Sequence, residues 1–173
     1  MKLTCSRRLV AGCVFSLALL GTAGAWGAAA APDEVRQAET AIRSGDVFTA
    51  MGLLRRAADQ NNPVAQARLA DLLHAAEFDQ EALVLYRKAA EQGEAAGEFG
   101  LGRMYADGSG VPRDPALALQ WYRKAELKQH VPALDALARA YRTGDLGLAK
   151  DPARAGTLDA QVRSLLRSGK DAQ

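Results

Sequence analysis

Along most of this chain apolar side chains recur every three or four positions, the period of a helix that turns one face to a core. Cap and turn residues cut the pattern into eight segments of helical length. Pro32-Asp33 opens the first, which runs to Ser44, and Gly45 stands where a stop is expected. Asp46 caps the second, from Val47 to about Asn61, with Val47, Ala50, Leu54, Ala57 and Ala58 on one face. Asn62-Pro63 restarts the chain as N-cap and first-turn proline. It predicts a third helix to about Ala76 that buries Leu69, Leu72 and Leu73. Asp79 is read as the cap of the fourth, Gln80 to Gln92, with Ala82, Leu85, Tyr86, Ala89 and Ala90 as its stripe and Gly93 as its end. The fifth runs from about Glu94 to Ala106, with Leu101, Met104 and Tyr105 apolar, and breaks at Asp107-Gly108-Ser109-Gly110. Asp114-Pro115 starts the sixth. The seventh begins near Pro132 and stops at Thr143-Gly144, and Asp151-Pro152 starts the eighth, which fades by about Arg167 before a flexible tail over 169–173. Short connections make successive helices antiparallel neighbours, in hairpins over about 33–61, 62–93, 94–130 and 131–167. No segment alternates with period two over a convincing length, so no sheet is expected.

The hairpins echo one another. Leu53-Leu54-Arg55-Arg56-Ala57-Ala58-Asp59-Gln60 returns as Leu85-Tyr86-Arg87-Lys88-Ala89-Ala90-Glu91-Gln92, and again as Trp121-Tyr122-Arg123-Lys124-Ala125-Glu126-Leu127-Lys128. The alanines at 57, 89 and 125 are spaced by 32 and 36 residues. Such a period marks a stacked-repeat architecture, in which neighbours bury the face that one unit cannot bury alone. Aligned on those alanines, Leu69, Leu101 and Leu137 share a column, Ala70, Gly102 and Ala138 the next, and Leu73, Tyr105 and Tyr141 another. Large residues beside a small one let two helices interdigitate closely.

The third unit is the fullest. It reads Phe99-Gly100-Leu101-Gly102-Arg103-Met104-Tyr105, Gly108-Ser109-Gly110-Val111-Pro112-Arg113-Asp114, Ala118, and Trp121-Tyr122-Arg123-Lys124-Ala125. This resembles a Sel1-like repeat, the tetratricopeptide-like subtype with a Gly-x-Gly-Val loop between its helices. The match is full over 95–130. Over 131–166 it is partial: Tyr141, Gly144, Asp151 and Pro152 hold, but Leu158-Asp159 replaces the Trp-Tyr pair. Residues 62–93 lack the loop insertion and are closer to a plain tetratricopeptide hairpin, and 33–61 match least. The resemblance implies an all-α, right-handed solenoid of helical hairpins with about eight helices. It also implies a scaffold for proteins or peptides, often in bacterial envelope processes, and it transfers no catalytic residue. In that frame Trp121 is expected to be largely buried. Asp159 is expected where an internal unit buries a tyrosine, so that Arg154, Asp159 and Arg163 lie exposed on a capping helix.

The N-terminus changes how the composition is read. A basic start (Lys2, Arg7, Arg8), an apolar run from Leu9 to Leu20 and small residues to Ala31 are the parts of a secretory signal peptide, assigned to 1–30. The run is short for a bilayer span, which needs ~20 apolar residues, and a retained anchor is the alternative. Cys13 stands too early in the run for lipidation, and Ser6-Arg7-Arg8 makes only a weak twin-arginine motif. Without Lys2, Arg7 and Arg8, 19 basic residues face 20 acidic ones, and the formal charge of +2 becomes −1. The basic balance is therefore no sign of nucleic-acid binding. Cys5 and Cys13 leave with the leader, and the exported part then has no disulfide or cysteine metal site. Its expected location is periplasmic or secreted, with no membrane span after cleavage.

Chemistry is sparse. There is no Gly-x-Ser-x-Gly, His-Glu-x-x-His or phosphate-cradling loop. His74 and His130 belong to different hairpins and are read as surface or capping residues, since a zinc site normally takes at least three protein ligands. No cofactor and no enzymatic activity are expected. By the resemblance, the first helix of each hairpin lines a concave binding face. Off the core stripe those helices carry Arg68, Asp71, Arg103, Asp135, Arg139 and Arg142, the candidate partner contacts. Arginines there suit carboxylates of a peptide or of an acidic polysaccharide. The leading expectation is an exported scaffold that binds an envelope protein. The alternatives are an accessory of polysaccharide secretion and, lower in rank, a lactam-binding or lactam-hydrolysing enzyme, whose relatives carry paired cysteines that this chain lacks.

Overall fold

The structure, a computed structural model, describes residues 30–171. Apart from Ala30, the expected leader lies outside the described residues, as do both cysteines and Trp26. Eight helices follow: α1 (Ala30–Arg43), α2 (Val47–Asp59), α3 (Pro63–Ala75), α4 (Asp79–Glu91), α5 (Ala95–Asp107), α6 (Pro115–Leu127), α7 (Val131–Thr143) and α8 (Pro152–Asp171). No strand occurs among the described residues. Each helix packs on the next in the chain, and α3 also touches α5 across the stack. The chain is an all-α solenoid of helical hairpins.

The repeated alanines are its hinge points. Ala57, Ala89 and Ala125 are each fully buried, and their carbonyls accept from the N–H of Asn62, Glu94 and His130 at 2.9–3.1 Å. This bond from five residues on closes the second helix of a hairpin and aims the chain at the next one. It needs a left-handed residue just before the donor. Asn61 (φ 63), Gly93 (φ 80) and Gln129 (φ 56) fill that place, and only one of them is glycine.

The glycines of α5 serve contact instead of flexibility. A Cβ on Gly100 would collide with the Tyr86 ring, and one on Gly102 would stand 2.5 Å from the Tyr122 ring. Two tyrosines from the flanking second helices thus seat against α5, both buried. Burying an aromatic side chain of this size stabilises by about 1.5–3 kcal/mol. Leu69, Leu101 and Leu137 are buried as their shared column predicts.

The interior divides in two. One core runs from Val35 to Met104, and the other gathers Tyr122, Leu134, Leu137, Ala138 and Leu158. Polar pairs, each with one buried partner, staple the hairpins at one column. In the second hairpin Gln92 Nε2 donates to Gln66 Oε1 at 2.8 Å. In the third, Lys128 Nζ donates to Glu98 Oε1 at 2.7 Å and to the Gly93 carbonyl at 2.6 Å. The Gly-x-Gly-Val loop is a third tie. Gly108 (φ 80) ends α5, and the Gly110 carbonyl accepts from Gln80 Nε2 at 2.8 Å, which docks the loop on the start of α4.

Several expectations need correction. Asp46, Asn62, Asp114 and Asp151 accept from the backbone N–H three residues on, as caps do. Asp79 does not: α4 begins at it, Phe78 is the N-cap, and the Asp79 carboxylate meets His74 Nδ1 at 2.6 Å. Val47 is exposed, because α2 turns Ala50, Leu53, Leu54 and Ala57 inward. Leu72, Leu85 and Tyr105 are only half-buried at the edge of the first core, and Leu83 is buried in α4 instead. Trp121 is half-buried as well. Tyr122 takes the inward position on Gly102, while Lys124 Nζ covers the indole 3.8 Å from the ring centre. In α8 it is Leu158 that enters the core, so Asp159 does not occupy the tyrosine position. It is half-buried against Arg142, whereas Arg154 and Arg163 are exposed. The helix also continues to Asp171, past the expected fade near Arg167.

Candidate partner-binding face

The six candidate residues lie on α3, α5 and α7, and every one of them is in an ion pair. Arg68 is 3.6 Å from Glu39 of α1. Asp71 and Arg103 are 3.5 Å apart, and the Tyr86 hydroxyl stands between them. It donates to Asp71 Oδ1 at 2.7 Å and accepts from Arg103 Nη2 at 2.8 Å. Burial first, then the Asp71 carboxylate, drive the Tyr86 phenol far above its ordinary range. Asp135 and Arg139 pair along α7 at 3.3 Å. Arg142 reaches both oxygens of Asp159 on α8, at 3.2 and 2.9 Å.

These pairs sort the candidates. Arg142 is drawn toward the end of the stack, and Arg68 toward its start. Arg103 and Arg139 face each other across the gap between α5 and α7. There they line a cleft of about 320 Å³ with Phe99, Arg113 and Tyr122. The Arg103 guanidinium lies 5.8 Å from the centre of the Phe99 ring, and Arg113 Nε is anchored on the Ala106 carbonyl at 2.8 Å. Ala106, Ala136, Ala140 and Leu146 make the apolar wall, and Asp107 and Asp145 stand among the lining residues. Burial, then the charge of Asp107, push the Tyr122 phenol up to about 12, while Arg103 and Arg139 pull the other way. The Phe99 ring also packs at a tilt against Tyr122 (centroids 5.6 Å apart) and against His130 (5.4 Å), whose imidazole burial holds below its ordinary pKa.

Phe99, Arg113 and Tyr122 were not among the candidates. Phe99 and Tyr122 belong to the repeat motif and read as packing, and Arg113 sits in a loop with no periodicity to place it. A larger groove of about 940 Å³ also escaped the sequence. It runs between α2 and α4 over a floor of Gln66, Leu69 and Leu73, with Arg55, Glu81 and Lys88 among its walls. Nothing in a single helix pattern reports how far two non-adjacent helices splay. Among the described residues no group of three or more His, Cys, Asp or Glu is placed to hold a metal, and no helix is long and apolar enough to cross a membrane.

The family model described as Sel1 repeat matches residues 43–62, 79–94, 95–130 and 131–156, more than half of the chain. A solved Sel1 repeat protein from Oxalobacter formigenes superposes with a TM-score of 0.69 at 24% identity, over 76% of this chain and 56% of that one. A protective antigen present in uropathogenic Escherichia coli strains, displaying an SLR fold, superposes at 0.64 with 26% identity, over 78% of this chain and 30% of that one. The chain thus spans 56% and 30% of the lengths of these two neighbours. No curated protein matches it.

Proposed function

This chain belongs to the Sel1 repeat family, whose members are generally scaffolds for protein–protein interaction, and from that premise we propose that it is an exported scaffold that holds a protein partner in the bacterial envelope. The observation that carries this reading is the row of first helices, α3, α5 and α7, with its open cleft of paired charges and aromatic rings. A stack of hairpins presents such a row as one extended surface, suited to a length of polypeptide. The alternation of Asp71, Arg103, Asp135 and Arg139 along it offers both signs of charge. That pattern matches a polypeptide better than the uniform charge of an acidic polysaccharide, which ranks the secretion-accessory reading second. The leader-like sequence of residues 1–30 supports the address. Crosslinking in intact cells, followed by recovery of the tagged full chain from the osmotic-shock fraction, tests both parts. One dominant protein partner in that fraction is the expected result. Retention of the chain in the cytoplasm, or repeated recovery with no partner, would overturn the proposal.

A further inference from the structure

Two seams of the solenoid use the same columns and can be compared directly. Between the second and third hairpins the positions are Asp71 on α3, Tyr86 on α4 and Arg103 on α5. One carboxylate there accepts from the phenol, and the phenol accepts from the guanidinium. One seam later the same columns hold Arg103 on α5, Tyr122 on α6 and Arg139 on α7. The Tyr122 ring is also seated on a glycine of α5, but on Gly102 within its own hairpin, where the Tyr86 ring meets Gly100 across the seam. The carboxylate is missing, because a second arginine stands in its column. Neighbouring charges and burial surround the Tyr122 phenol, but it has no hydrogen-bond partner among the described residues, unlike Tyr86. Arg103 Nε is buried and likewise unpartnered among the described residues. Asp135 engages Arg139 only through Nε there.

We propose that the cleft between α5 and α7 is a carboxylate site, in which an acidic side chain of a bound polypeptide takes the place that Asp71 holds one seam earlier. The proposal rests on the scaffold reading and names the chemistry of the partner. Tyr122 and three arginines, Arg103, Arg113 and Arg139, line one cavity, the kind of donor set that charge-assisted bonds to a carboxylate require. Phe99, Ala136 and Leu146 give the methylene stem and an apolar neighbouring residue a dry wall. Three lining arginines against Asp107 and Asp145 leave one net positive charge, which a single carboxylate neutralises and a second anion would overshoot. The site therefore takes a single acidic residue beside apolar ones and rejects a polyanion.

The test uses the isotope-labelled full chain and three blocked or unblocked tripeptides followed by NMR. Acetyl-Leu-Glu-Leu-amide is expected to shift the Arg103 and Arg139 Nε–H signals saturably, and acetyl-Leu-Gln-Leu-amide to bind at least tenfold more weakly. Arg139→Gln should weaken the Glu peptide about tenfold with the thermal midpoint nearly unchanged, since Arg139 is exposed on α7. Tyr122→Phe keeps the ring on Gly102 and should weaken it severalfold. Equal titration by the Glu and Gln peptides would overturn the site. So would an unaltered response in Arg139→Gln, or tighter binding of acetyl-Leu-Gln-Leu with a free C-terminus or of an oligogalacturonate. Cellular crosslinking separates this from the broader reading: a partner recovered equally by wild type and Arg139→Gln sinks the site alone, and no partner at all sinks the scaffold.

Discussion

Gln129 occupies a left-handed turn position that Gly93 fills in the preceding unit. A side chain there costs about 1–2 kcal/mol, part of which glycine loses again through its freer unfolded chain. Gln129→Gly is therefore expected to stabilise the protein by about 0.5–1 kcal/mol, read from denaturant midpoints. Gly100 is the opposite case. Its Cα lies under the Tyr86 ring, and Gly100→Ala should destabilise by about 1–3 kcal/mol through overpacking, seen in the same unfolding curves. His130 adds a pH dependence. Its folded pKa lies below the ordinary 6.5 because burial disfavours the imidazolium. The unfolded chain then binds the proton more readily, and stability falls as pH drops below that ordinary value toward the folded pKa. Unfolding curves at pH 7 and pH 5 should show a smaller acid loss in His130→Gln than in wild type.

Pairs of helices are held by a polar staple at one column, and the two versions of it differ in kind. Gln66 with Gln92 is an amide pair, and Glu98 with Lys128 is an ion pair whose carboxylate is buried while the ammonium is partly solvated. Removing one partner strands a buried charge, whereas replacing both does not. Lys128→Met is expected to cost about 2–3 kcal/mol, below the full penalty for a buried pair because the lysine reaches water. The double variant Glu98→Gln with Lys128→Gln copies the amide pair of the preceding hairpin and should recover most of that loss. A double variant no more stable than Lys128→Met would show that the two hairpins are not equivalent at this column.

The division of the core has consequences for how the solenoid opens. Stacked repeats gain stability from each unit and from each seam, so a thin seam lets one end open alone. The first core is continuous from α1 to α5, and the second is confined to α5–α8. Native-state hydrogen exchange should therefore show α7 and α8 opening at lower free energy than α3 and α4. Uniform protection across all of these helices would contradict it. The cleft sits on this boundary, between α5 and α7, and the packed rings of Phe99 and Tyr122 line it.

Helix number, the hairpin repeat and most caps could be read from the chain, because they depend on interactions between residues three or four apart, or one repeat apart. Asp46, Asn62 and Asp114 cap as their positions predict, and the buried leucine column is the one the alignment exposes. Asp79 departs from its expected capping role because His74, in the last turn of α3, competes for its carboxylate, and Trp121 departs from burial because a helical stripe does not say which of two adjacent aromatics meets the next hairpin. The face carrying Arg103 and Arg139 was visible as a column of charges. That the two arginines share one cavity with Tyr122, while Asp71 closes the seam before it, was not. Periodicity places a side chain on a face of its own helix. Only the packing of α5, α6 and α7 decides the gap between faces, and that gap is what makes a row of charges into a site.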